Sequence, residues 1–113
     1  MSDIARERIT AAFSDGVDEA MREYFVEQVA KNDKRAYLQA PRAVFSFDPE
    51  NRLTTIRCPT LVSVGREDRV TPVALAEFLA KSIEGAQLVV LEGAGHISNA
   101  ENPLAFNRAV VEF

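Results

Sequence analysis

Tryptophan is absent from this chain of 113 residues, and cysteine and histidine occur once each. Cys58 has no partner for an intramolecular disulfide, which fits a reducing compartment. One histidine with one cysteine is too few for the usual metal-ligand set. Gly93-Ala94-Gly95 begins a dinucleotide fingerprint but lacks its third glycine and follows the last strand, so no cofactor is expected. No apolar run approaches the roughly 18 residues of a membrane helix. The opening Met-Ser-Asp-Ile-Ala-Arg-Glu-Arg places acid and arginine where a signal peptide carries its apolar core. The chain therefore reads as cytoplasmic and without an address. A basic block is missing too: 13 Lys and Arg are interleaved with 17 Asp and Glu, for a net charge of -4. That balance argues against nucleic-acid and anionic-membrane partners.

What is present is ordinary folded composition, with 47% hydrophobic and 27% charged residues. The length allows one small domain, but not a complete copy of large enzyme folds of roughly 200–300 residues. No internal repeat or low-complexity segment appears.

Up to Asn51 the apolar spacing is helical. Ala5, Ile9, Ala12 and Phe13 fall on one helix face, and Ser14-Asp15-Gly16 interrupts it. Val17, Met21, Tyr24, Phe25 and Val29 repeat the spacing until Lys31-Asn32-Asp33. A third helix is predicted over 34–47, with Tyr37, Val44 and Phe45 on one side and Pro41 kinking or splitting it. Asp48-Pro49-Glu50 reads as a turn.

The period then changes. Thr60-Leu61-Val62-Ser63-Val64-Gly65 and Gln87-Leu88-Val89-Val90-Leu91 read as strands, the second apolar enough to be covered on both faces. Between them Thr71-Pro72 reads as an N-cap and first helical residue. Leu75, Phe78, Leu79 and Ile83 form the buried stripe of that helix, and Gly85 ends it. A last helix starts near Asn102-Pro103, with Phe106, Val110 and Phe113 on one face. The fold class is therefore α/β. Residues 1–51 form a helical segment and residues 52–113 a βαβα unit with two parallel strands.

Parallel strands end on the same sheet edge, where open α/β sheets gather their reactive groups. The loop after the first strand carries Asp68, and the loop after the second carries His96. Adjacent strands are about 5 Å apart, so a carboxylate and an imidazole there can form a hydrogen bond. Such a pair supplies the acid and base of a triad, the acid fixing the imidazole tautomer and the imidazole moving the proton. Taken singly, His96 reads equally as a surface residue of a Gly-rich loop. Asp68, among Arg66, Glu67 and Arg69, reads as a solvated charge, and Glu67 and Glu92 compete as partners for the ring. Their joint placement, acid loop then histidine loop, favours the site.

At these motifs the chain resembles the C-terminal part of an α/β-hydrolase. Ile56-Arg57-Cys58-Pro59-Thr60-Leu61-Val62 is similar to the lead into the family's seventh strand. Gly65-Arg66-Glu67-Asp68-Arg69-Val70-Thr71-Pro72 resembles its acid loop, and Gly93-Ala94-Gly95-His96 its histidine loop. The resemblance implies Asp68 and His96 as catalytic acid and base, and residues 1–51 as the end of a lid. The stretch from Ile97 to Val110 looks most like the 3-oxoadipate enol-lactonase branch, which implies an ester or lactone substrate.

The family's nucleophile motif, G-x-S-x-G on a strand-to-helix turn, does not occur. Leu61-Val62-Ser63-Val64-Gly65 is its nearest echo, with leucine in place of the first glycine. Ser63 reads as a strand residue, Ser98 as a capping or turn hydroxyl, and Cys58 as a small residue at least half-buried. The oxyanion loop of the family is also absent. The expectation is thus a truncated hydrolase, carrying acid and base without a nucleophile and inactive alone. The rival reading is a non-enzymatic module that self-associates through an open strand edge.

Overall fold

The computed structural model describes the backbone of residues 1–113 and all side chains except those of Arg42, Ala43 and Phe45. Helices α1 (Ser2–Ala12), α2 (Glu19–Ala30), α3 (Lys34–Ser46) and α4 (Glu50–Leu53) precede the first strand. Strand β1 (Leu61–Gly65), helix α5 (Val73–Ser82), strand β2 (Gln87–Leu91) and helices α6 (Ser98–Glu101) and α7 (Pro103–Glu112) follow. The strands pair in parallel, from Leu61 opposite Gln87 to Gly65 opposite Leu91. The expected α/β class and parallel pair are both present.

The tightest packing lies in the helical half. Ala5, Ile9, Phe13 and Val26 form a buried cluster, joined at its rim by Met21, Phe25, Val29 and, from the other half, Ile97. The rings of Phe13 and Phe25 meet edge-on at 5.2 Å. Asp18 caps α2 by accepting from the amides of Ala20 and Met21, and Asp33 caps α3 by accepting from Ala36. In α2 the buried residue is Val26, whereas Tyr24 is 57% exposed.

Of the kink or split expected at Pro41, the split does not occur: α3 runs through it as one helix. A proline here removes one hydrogen bond, to the carbonyl of Tyr37, without ending the helix. Tyr37 is half-buried but Val44 is 68% exposed, and the Phe45 side chain lies outside the described residues. Helix α3 stops at Ser46, and in the turn that follows the Asp48 carboxylate accepts from the amide of Glu50, the first residue of α4.

Around the strands burial falls short of the pattern. Leu75, Phe78 and Leu79 of α5 are exposed, and only Ala76 and Ile83 of that region are buried. Val110 and Phe113 are about half exposed, β2 is only half-buried along most of its length, and Cys58 is exposed. Two strands present too little surface to cover the helices beside them. Among the described residues no helix is long and apolar enough to cross a membrane.

Candidate active site

Two glycines let the loops after β1 and β2 meet. A Cβ on Gly65 would collide with the carbonyl oxygens of Ala94 and Gly95. A Cβ on Gly95 would lie 2.7 Å from the carbonyl oxygen of Ala12 and 2.8 Å from the amide nitrogen of Ser14. The histidine loop is thus wedged between the end of β1 and the end of α1, where only hydrogen fits. Its backbone is tied on both sides. The amide of Glu67 donates to Ala94 at 2.9 Å, and the amide of His96 donates to Ala12 at 2.7 Å.

Asp68 and His96 come together as their loops predict: Nδ1 of the ring lies 2.9 Å from Oδ2 of the carboxylate. Asp68 is 8% exposed and its oxygens are fully engaged. Oδ1 accepts from the amides of Val70 and Thr71, each at 2.8 Å, and Oδ2 accepts from the Thr71 hydroxyl at 3.0 Å. Burial works to raise the pKa of this carboxyl. The Thr71 amide, the His96 ring, the Thr71 hydroxyl and the Val70 amide together outweigh burial and hold it below the usual aspartate value. With Asp68 as an ionised acceptor, Nδ1 carries the ring proton and Nε2 is left with its lone pair.

Neither rival acid competes for the ring. Glu92 is paired with Arg66, at 2.8 Å. Among the described residues the Glu67 side chain makes no hydrogen bond to the imidazole, and its backbone amide donates to Ala94.

Two contributors escape sequence reasoning. Thr71 does not cap α5, whose N-cap is Pro72 without a side-chain bond. Its hydroxyl turns back to Asp68, and its oxygen lies 3.2 Å from Nδ1 of His96, so it shares the ring proton as a third centre. The signal was an aspartate suited to an Asx turn on the amide two residues on, at Val70, with a hydroxyl one residue further at Thr71. Glu101 is the second. Its carboxylate accepts from the amides of Gly95 at 2.9 Å and Ser14 at 2.8 Å, clamping the histidine loop to the end of α1. Beside it Arg69 of the acid loop pairs with Asp15 at 2.7 Å.

His96 stands between two cavities. One, of about 460 Å³, lies under α1 and α3 and is walled by Tyr37, Pro41, Val70 and Ile97. The other, of about 270 Å³, opens along β1 and includes Ser63, Asp68, Thr71 and Ser98. Ser63 sits in mid-strand opposite Val89, and neither its hydroxyl nor that of Ser98 bonds to the ring. Ser98 is the first residue of α6 and caps nothing. Among the described residues no three His, Cys, Asp or Glu side chains gather as a metal would require.

A family profile described as "Alpha/beta hydrolase family" matches residues 2–109. The 3-oxoadipate enol-lactonase 2 of Acinetobacter baylyi is 36% identical over 97% of this chain and 42% of its own length. A protein of Pseudomonas savastanoi pv. phaseolicola bearing the name carbamate hydrolase RutD is 38% identical over 67% of this chain and 29% of its own. In three dimensions the enol-lactonase from Burkholderia xenovorans LB400 superposes with a TM-score of 0.93 at 29% identity, over 99% of this chain and 44% of that one. The chain spans less than half the length of each of these relatives. With its parallel strand pair, paired loops and a profile match over nearly all its residues, the chain belongs to the α/β-hydrolase family.

Proposed function

We propose that this chain supplies the acid and base of a hydrolase acting on a carboxylic ester or lactone, with an enol-lactone of the 3-oxoadipate type as the leading candidate substrate. The observation that carries the reading is the 2.9 Å contact between Asp68 and His96 Nδ1. It leaves Nε2 free between the two cavities. In this reading Nε2 takes the proton of an attacking hydroxyl, and Asp68 steadies the imidazolium that results. The same proton then passes to the leaving oxygen, which in a lactone stays tethered to the acyl chain. A water then gives a proton to Nε2 and attacks the acyl carbon; as the bond to the hydroxyl oxygen breaks, that oxygen takes the proton, which frees the carboxylic acid and restores the hydroxyl and the imidazole.

The attacking hydroxyl comes from outside residues 1–113, and its position is the open cavity beside β1. Residues 1–51 act as a lid over the strand-end edge, and residues 52–113 carry the acid and base. The chain alone does not turn over esters or lactones by this route, because no serine stands on a suitable turn and half the oxyanion hole is missing. Loss of a single oxyanion donor already costs about 10²–10³ in rate.

The test compares the purified chain with its His96→Ala and Ser63→Ala forms on an activated ester and an enol-lactone. The expected rate is that of free imidazole in all three. Turnover well above it that disappears with Ser63→Ala contradicts the reading and names the wrong serine as innocent. Turnover abolished by His96→Ala but indifferent to Ser63 indicates direct activation of water.

The exposed apolar faces of α5 and α7 favour a second reading, self-association through the open sheet. A stable oligomer by sedimentation equilibrium, with exchange-protected amides along the outer edge of β1, supports it. A monomer that gains activity when given the missing nucleophile supports the first.

A further inference from the structure

The orientation of His96 depends on hydrogen bonds, because its side chain is 39% exposed and packing alone does not fix it. Asp68 and Thr71 hold the ring at Nδ1. That hold places the ring only if the backbone beneath it is fixed as well. Two consecutive amides do this. The His96 amide donates to the Ala12 carbonyl at 2.7 Å, and the Gly95 amide donates to Oε1 of Glu101 at 2.9 Å. Oε2 of the same carboxylate accepts from the Ser14 amide at 2.8 Å. One side chain thus ties the residue before His96 to the chain just past the end of α1.

The residue type matters here. Among the described residues the Glu101 carboxylate has no ion-pair partner. Its two oxygens serve two backbone donors instead, through charge-assisted bonds. A glutamine there offers one acceptor and turns an N–H donor toward the other amide. The carboxylate is also rigidly mounted. Glu101 ends α6, and the next residue, Asn102, fastens that helix on two sides. Its Nδ2 donates to the Glu92 carbonyl at 3.0 Å, and its Oδ1 accepts from the Ala105 amide at 3.2 Å.

Resting on the ester or lactone reading of His96, we propose that Glu101 is a positioning residue for the proton transfer. It lines neither cavity beside the ring and acts through the backbone, holding the peptide that carries His96 so that Nδ1 meets Asp68 and Nε2 faces the reacting atoms. A misplacement of about 1 Å in a catalytic group can cost about 10²-fold in rate, so a mount of this kind bears on the chemistry as well as on stability.

The chain has a single histidine, so every imidazole signal belongs to His96. The experiment reads its tautomer by ring-nitrogen NMR in the purified chain, at a pH where the ring is neutral, beside urea midpoints. Wild type, Glu101→Ala, Glu101→Gln and Val26→Ala are compared, the last loosening the helical core without touching residues 94–101. In wild type the proton is expected on Nδ1. The ratio of Nδ1–H to Nε2–H rings is expected to fall roughly ten-fold in Glu101→Ala. It falls by less in Glu101→Gln, which keeps one acceptor, and stays at the wild-type value in Val26→Ala. A wild-type ratio in a folded Glu101→Ala, with only the urea midpoint lowered, overturns the positioning role and leaves a structural one. A fall that Val26→Ala reproduces overturns it too, because general loosening then explains the change. Where Glu101→Ala does not fold, Glu101→Gln decides, and a wild-type ratio there overturns the proposal. A wild-type chain with its proton on Nε2 instead defeats the Asp68–His96 pair on which the ester reading itself rests, before any variant is compared.

Discussion

Asp68 accepts four hydrogen bonds, and its low pKa makes stability depend on pH in a definite sense. A carboxyl held below its unfolded value adds stability above the ordinary aspartate range. That stability is lost as pH falls through the folded value. Urea midpoints taken from about pH 6 down to about pH 2 are expected to fall, and Asp68→Asn is expected to flatten part of that slope. An unchanged slope in the variant contradicts the assignment. Thr71 is tested separately. Thr71→Val keeps the shape and the backbone bond but removes the hydroxyl from Oδ2 and from the ring proton. A loss of about 0.5–1.5 kcal/mol is expected, with an altered Nδ1 proton signal, and Thr71→Ser restores both. Of these residues Asp68 and His96 were legible in the sequence, because strand direction alone places two such loops on one edge. Thr71 was misassigned because a Thr-Pro pair before an apolar stripe has the form of a helix start, and only the turn at Asp68 redirects the hydroxyl.

At the scale of elements, the end of α1 and the loop after β2 are joined by three groups. These are the His96 amide on Ala12, the Glu101 carboxylate on Gly95 and Ser14, and the bare Cα of Gly95 between them. Glu101→Ala leaves two part-buried amides without an acceptor and is expected to cost about 1–3 kcal/mol by urea unfolding. Amide exchange at Gly95 and Ser14 rises with it, and Glu101→Gln recovers part of both. Gly95→Ala forces two backbone segments apart and is expected to cost at least as much, since backbone cannot yield as a side chain does. Wild-type stability in Gly95→Ala contradicts the packing described. Strand β2 follows from local chemistry and matches the reading of the sequence, whereas α5 already ends at Ser82 and Gly85 (φ +74°) serves the turn into β2 instead of the helix end. Continuity of α3 through Pro41 does not, because the loss of one hydrogen bond is decided by the rest of the helix. The four-residue α6, which carries Glu101, is too short to leave a periodic trace.

For the whole molecule, the radius of gyration is 15.6 Å, against about 13 Å for a compact domain of this length. The excess goes with an exposed α3 and with helices α5 and α7 that leave Leu75, Phe78, Leu79 and Val110 in water. Those stripes read as buried in the sequence because periodicity reports which face is apolar, not whether anything covers it. Under the proposed reading of the chain as the acid–base portion of a hydrolase, further strands would cover these faces.

The most direct measurement is a chimera in which residues 1–113 replace the aligned stretch of the Acinetobacter baylyi 3-oxoadipate enol-lactonase 2, assayed on its enol-lactone beside His96→Ala and Asp68→Asn versions. The account predicts a folded chimera that hydrolyses the lactone. His96→Ala lowers the rate by roughly 10³-fold or more, and Asp68→Asn by roughly as much. A folded chimera with no activity, or one whose activity survives His96→Ala, contradicts it.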